Sequence, residues 1–123
     1  MPPSRPLLLF AALNGALAVA LGAFAAHGAG PQVKTLLTTG AHYQLVHAAL
    51  AVVVALAAPP GLPRLAGWSA AVGGLVFSLS LAAVALLHLR AMGAIAPLGG
   101  ALMIFAWLSL ALAAWRGSTS SPR

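Results

Sequence analysis

Residues Leu65–Leu87 read LAGWSAAVGGLVFSLSLAAVALL, without one charged side chain. At 1.5 Å per residue a helix of that length runs about 34 Å, enough to cross about 30 Å of hydrocarbon. Working outward from it, three more stretches share the pattern. Leu7–Ala26, Tyr43–Ala58 and Ala91–Trp115 are all free of charge. The second is short, but its helix can begin earlier, near Ala41 or even Pro31. Pro59, Pro60, Gly61 and Pro63 make a tight break before the third span. Pro97 suits the first turn of the last helix, where a missing N–H is no loss. The expected fold is all-α, an integral membrane four-helix bundle in one membrane domain, with spans near 7–26, 41–58, 65–87 and 95–115.

Composition agrees with that reading and limits the chemistry. Of 123 residues 62% are hydrophobic and 5% charged, against about 25% charged in a soluble domain. There is no Asp, Glu or Cys. Paired-carboxylate hydrolysis, acid-bearing triads and EF-hand calcium sites are therefore excluded. So are thiol nucleophiles, disulfides and cysteine-ligated zinc or iron–sulfur centres. The formal charge of +6 comes from Arg5, Lys34, Arg64, Arg90, Arg116 and Arg123. These cations are single and scattered, so they mark span ends and give no nucleic-acid patch.

With four spans, Arg5, Arg64, Arg116 and Arg123 fall on one side, and Lys34 and Arg90 on the other. Positive-inside counting then puts both termini in the cytoplasm. Trp68 and Trp115 lie near span ends on that side. The first span also has features of a secretory signal: a basic start, an apolar run, and small residues in AFAAHGAG. Its length, its internal Asn14, Gly15 and Gly22, and the three spans that follow favour a retained helix. Residues 31–40 place Val33, Leu36 and Leu37 on one helical face, which suits either an interfacial helix or a plain loop.

Hydrophobicity does not draw helices together in lipid, so close packing must. Ala11, Gly15, Ala18, Gly22 and Ala25 form a smooth seam on the first span. Ala71, Gly74, Ser78, Ala82 and Ala85 repeat it on the third. Gly99, Gly100, Ala106, Ser109 and Ala113 do so on the last. Asn14, Ser78 and Ser80 are the intramembrane polar residues. Asn14 is expected to bond Ser78, Ser80 or a backbone carbonyl.

ALNGALAVALGAFAAHG (Ala12–Gly28), YQLVHAALA (Tyr43–Ala51), FSLSL (Phe77–Leu81) and APLGG (Ala96–Gly100) occur in that order. Together they resemble the small membrane-protein family called domain of unknown function 423, which is similar to the eukaryotic transmembrane protein 256. The match runs from about Leu7 to Trp115. The resemblance implies a four-helix bacterial inner-membrane protein and no activity. His42 departs from the acidic or basic residue that often precedes Y-Q in that family.

Four histidines are the only side chains that titrate near neutrality. On this topology His27, His42, His47 and His88 gather at the extracytoplasmic rim. Tyr43 and His47 share a helix face, beside Gln44. The candidate polar cluster is His27, Tyr43, Gln44, His47 and His88. His27, His47 and His88 are candidate metal ligands: three imidazoles suit zinc, or copper with Met92, and two suit haem iron. The preferred reading is interfacial histidines with His47 bonded to a facing helix; metal or haem binding and proton or solute handling are the alternatives. No cofactor is expected. The preferred reading is a non-catalytic accessory or partner-binding protein, not an enzyme, in contact with membrane lipid and with a larger complex or a homo-oligomer. A His-cluster metal or haem protein and an oligomeric small-solute transporter are the alternatives. Proton-coupled cation export is disfavoured, because the first helix offers only Asn14 where small multidrug transporters carry an acid.

Overall fold

The computed structural model describes residues 2–120, with side chains described as far as Gly117; Arg123 lies outside the described residues. Four helices follow one another: α1 (Arg5–Gly28), α2 (Pro31–Ala57), α3 (Leu62–Leu87) and α4 (Ala96–Ser120). A short 3-10 turn, Arg90–Ala94, joins the last two. Proline opens α1, α2 and α3, where its fixed φ is already helical. Pro97 does the same at the start of α4. Ser4 caps α1, its hydroxyl accepting the Leu7 N–H at 3.4 Å. All four helices are long and apolar enough to cross a bilayer.

The stretch 31–40 is neither a loop nor a separate interfacial helix; the second helix begins at Pro31, the earliest start the sequence allows. It forms the first ten residues of an unbroken α2. Its apolar face has a buried destination: Leu37 packs with Ala25 of α1 and with Ala82 and Ala85 of α3. That contact removes the reason for the segment to lie flat on the membrane.

Neighbours in sequence are neighbours in space. α1 packs on α2, α2 on α3 and α3 on α4, whereas α1 and α4 do not run against each other. The two inner helices therefore bury more of themselves than the two outer ones. The small-residue seams face the same chain, except at Gly100, whose Cβ position has nothing within 4 Å. Gly15 and Gly22 lie over Ala48 and Ala41 of α2. Gly40 meets the Ser78 backbone, and Gly74 meets that of Gln44. The tightest crossing joins Gly73 to Gly99, where a methyl on Gly99 would stand 2.6 Å from the Phe77 nitrogen. Only glycine lets two helix backbones come that close. Beside this crossing, Ser69 Oγ donates to the Leu102 carbonyl at 2.7 Å.

One end of the bundle is tied by main-chain carbonyls. Ser4 N–H donates to Ala55 O at 2.8 Å. Arg64 donates from Nε to Ala58 O and from a terminal nitrogen to Pro2 O. With no carboxylate in any side chain, carbonyls are what the protein itself offers this cation.

Candidate functional site

Gln44 is the central residue of α2, and it is 1% exposed. Its Nε2 donates to Asn14 Oδ1 at 3.0 Å, and Asn14 Nδ2 donates to the Phe10 carbonyl at 3.2 Å. The carbonyl accepts only, so Asn14 must turn its NH₂ toward Phe10 and its oxygen toward Gln44. The orientation of both amides follows. Asn14 thus meets a backbone carbonyl of its own helix, and its partner across the interface is Gln44 instead of Ser78 or Ser80. Ser80 Oγ donates to Val76 O at 2.6 Å, the bond to the preceding turn that spares a buried hydroxyl. Gln44 Oε1 and Ser78 Oγ are buried without a partner.

One turn further along α2, His47 is 5% exposed. Its Nδ1 lies 2.7 Å from the Tyr43 carbonyl, and the Trp107 indole N–H of α4 donates to its Nε2 at 2.9 Å. The carbonyl can only accept and the indole can only donate. The ring must therefore be neutral and protonated on Nδ1. His47 thereby links α2 to α4 with both nitrogens engaged. Tyr43 stacks near it (centroids 6.5 Å apart) and meets Phe77 of α3 edge-on at 5.3 Å.

These rings wall a cleft of about 450 Å³. Thr39, Tyr43 and His47 come from α2, Phe77 from α3, and Gly100, Met103, Ile104 and Trp107 from α4. Its surface is mainly apolar. Tyr43 and Trp107 are each 48% exposed, so the cleft is open on its lipid-facing side. The hydroxyls of Thr39 and Tyr43, one helical turn apart, make no hydrogen bond among the described residues.

The expected cluster comes together only in part. Tyr43, Gln44 and His47 lie along the middle of α2. His27 and His88 are exposed at the ends of α1 and α3. Leu37 marks the level of those ends through its contact with Ala25 and Ala85. His47 lies ten residues further on, about 15 Å deeper at 1.5 Å per residue. The imidazoles therefore do not share a rim. The reason is the longer α2, which carries His47 away from the surface and into the span. No group of three metal-ligating side chains forms among the described residues. A metal at His47 would have to displace Trp107.

Sequence reasoning missed Trp107, the partner of His47. A signal existed: it is the one tryptophan far from a span end, and an indole N–H at that depth in the bilayer needs an acceptor. Gly100, Met103, Ile104 and Trp107 also recur at i, i+3, i+4 and i+7, one face of α4.

Comparison with known proteins follows the same residues. The model of a family described as "Protein of unknown function (DUF423)" matches residues 21–100. The chain belongs to this family. It is 36% identical over 118 residues to the UPF0382 membrane protein YwdK of Bacillus subtilis, covering 89% of this chain and 96% of that one. A UPF0382 membrane protein of Haemophilus influenzae is 38% identical, with 91% and 95% covered. The UPF0382 inner membrane protein YgdD of Escherichia coli K12 is 34% identical, with 92% of each covered. No solved structure matches. The protein is accordingly a multi-pass membrane protein of the DUF423 family, and the family-like motifs now have physical roles. Phe24 of G-A-F-x-A-H covers Gly28. Y-Q-x-x-H supplies the cleft wall and the Asn14 bond. P-x-G-G starts α4 and makes its crossing with α3.

Proposed function

We propose that the protein acts by binding within the bilayer, and that the α2–α4 cleft holds a lipid-soluble amphiphile with an apolar body and a carbonyl or hydroxyl group. The observation that carries this reading is the cleft's division of labour. His47 and Trp107 satisfy each other and leave rigid apolar walls, while the Thr39 and Tyr43 hydroxyls remain free to bond a guest. A cleft of about 450 Å³ falls within the usual range for small-molecule sites. The site offers no carboxylate, thiol or unengaged imidazole, which supports a non-catalytic role. The chain would serve as an accessory that holds such a molecule for a larger membrane system.

Gly100 provides the test, because nothing lies within 4 Å of where its Cβ would be. Gly100→Leu puts a branched side chain into the cleft and leaves its other lining residues unchanged. Extracts of the purified wild-type protein should contain an amphiphile that G100L lacks, with G100L still folded. Identical extracts from the two proteins would overturn the reading. Co-purification of a larger protein with wild type but not G100L would assign the cleft to a partner helix instead.

For orientation, we propose cytoplasmic termini. Arg64 reaches Pro2, which supports grouping Arg5 and Arg64 at one end. Lys34 and Arg90 belong to the other. A reporter fused after Trp115 that is active only outside the cytoplasm would reverse this.

A further inference from the structure

We propose that a second pocket, at the opposite end from Arg64, binds the phosphate of an anionic membrane lipid. It has a volume of about 240 Å³ and lies between the first turns of α2 and the end of α3. Its floor is apolar: Val33 and Leu36 from α2, Val84 and Ala85 from α3. Its rim carries Gln32, His88 and Arg90, all exposed. Apolar floor and hydrogen-bond-donating rim together match the glycerol end of a phospholipid, with hydrocarbon below and phosphate above.

The depth is right for this. α3 has 26 residues, about 39 Å of helix, against a hydrocarbon layer of about 30 Å. Its last turn therefore emerges among the headgroups. The chain then turns sharply. His88 adopts φ 57°, the one left-handed non-glycine among the described residues, and the 3-10 turn that follows sets Arg90 at the pocket mouth. Glycine is the usual residue in that conformation. Here an imidazole stands in its place, and it lines the pocket.

Charge decides the occupant. The Arg90 guanidinium makes no hydrogen bond among the described residues. No Asp or Glu exists anywhere in the chain to neutralise it. An arginine in the headgroup layer without an acidic neighbour is suited to a phosphate from outside the protein, bonded through its planar fork. Basic pockets between transmembrane helices recognise lipid headgroups on this basis. The apolar floor selects a lipid over free phosphate, which has nothing to place there.

The test is a titration of the delipidated full chain in neutral detergent, read by native mass spectrometry. The probes are short-chain phosphatidylglycerol, short-chain phosphatidylcholine and inorganic phosphate. The wild type should bind phosphatidylglycerol more tightly than phosphatidylcholine. Arg90→Gln should weaken phosphatidylglycerol about fivefold, the scale of one basic residue at a membrane surface. Lys34→Gln, a cation at the same end outside the pocket, should change it less than about twofold. His88→Gly supplies a variant that folds at least as well, since glycine accepts the left-handed backbone; it too should lose selectivity. Unchanged selectivity in Arg90→Gln or His88→Gly overturns the proposal. So does inorganic phosphate that competes as strongly as the lipid.

Discussion

Replacing Gly99 by Ala, with Gly100→Ala as its twin, tests how α3 and α4 are held. A methyl on Gly99 would stand 2.6 Å from Phe77 N and 2.7 Å from Gly73 O. Both are backbone atoms, so no side chain can swing aside. Ordinary contact begins near 3.4 Å, so α4 must retreat by about 0.8 Å. The Ser69–Leu102 bond, now 2.7 Å, would stretch to about 3.5 Å, the limit of a hydrogen bond. Overpacking of this kind costs about 1–3 kcal/mol. An interhelical bond in a membrane protein adds about 0.6–1.7 kcal/mol. The expected loss is therefore about 2–5 kcal/mol. At Gly100 the added methyl meets nothing within 4 Å. Both substitutions gain the same helix propensity, so the difference between them isolates the crossing. Unfolding by a denaturing detergent in mixed micelles, followed by far-ultraviolet circular dichroism, measures that difference. Equal stability of G99A and G100A would refute the crossing and the α3–α4 packing derived from it.

Other consequences follow from the polar contacts. Nitrogen NMR of labelled protein should show His47 neutral with its proton on Nδ1; in Trp107→Phe the Nε2 resonance should shift while Nδ1 stays bonded to Tyr43 O. A proton found on Nε2 in the wild type would contradict the assignment. Asn14→Leu should cost more than the double change with Gln44→Leu, because the single change strands a buried amide; a double-mutant cycle in the same unfolding assay reads the coupling, expected at about 0.6–2 kcal/mol. His47→Ala should destabilise by about 1–3 kcal/mol through loss of the Trp107 bond and a buried ring, whereas the exposed His42→Ala should stay within about 0.5 kcal/mol. Equal tolerance of both would remove His47 from the core.

The four membrane helices were legible in the sequence because lipid solvation is a local, additive property. Twenty uncharged apolar residues satisfy it whatever their neighbours are, and Pro59, Pro60 and Gly61 break the chain wherever the helices lie. The small-residue seams were legible for a related reason: in lipid a glycine stripe is where a backbone can approach. The depth of His47 was not. It depended on whether residues 31–40 continue the helix, and this was decided by the pocket that Ala25, Ala82 and Ala85 provide for Leu37. Nor was the pairing of polar atoms. Asn14 had serines and carbonyls as conceivable partners, and His47 had two nitrogens with three states. Only the order of helices in space brings Gln44 to Asn14 and Trp107 to His47. A hydrogen bond is directional and ends within about 3 Å, so it is fixed by tertiary geometry that hydropathy along one chain does not encode.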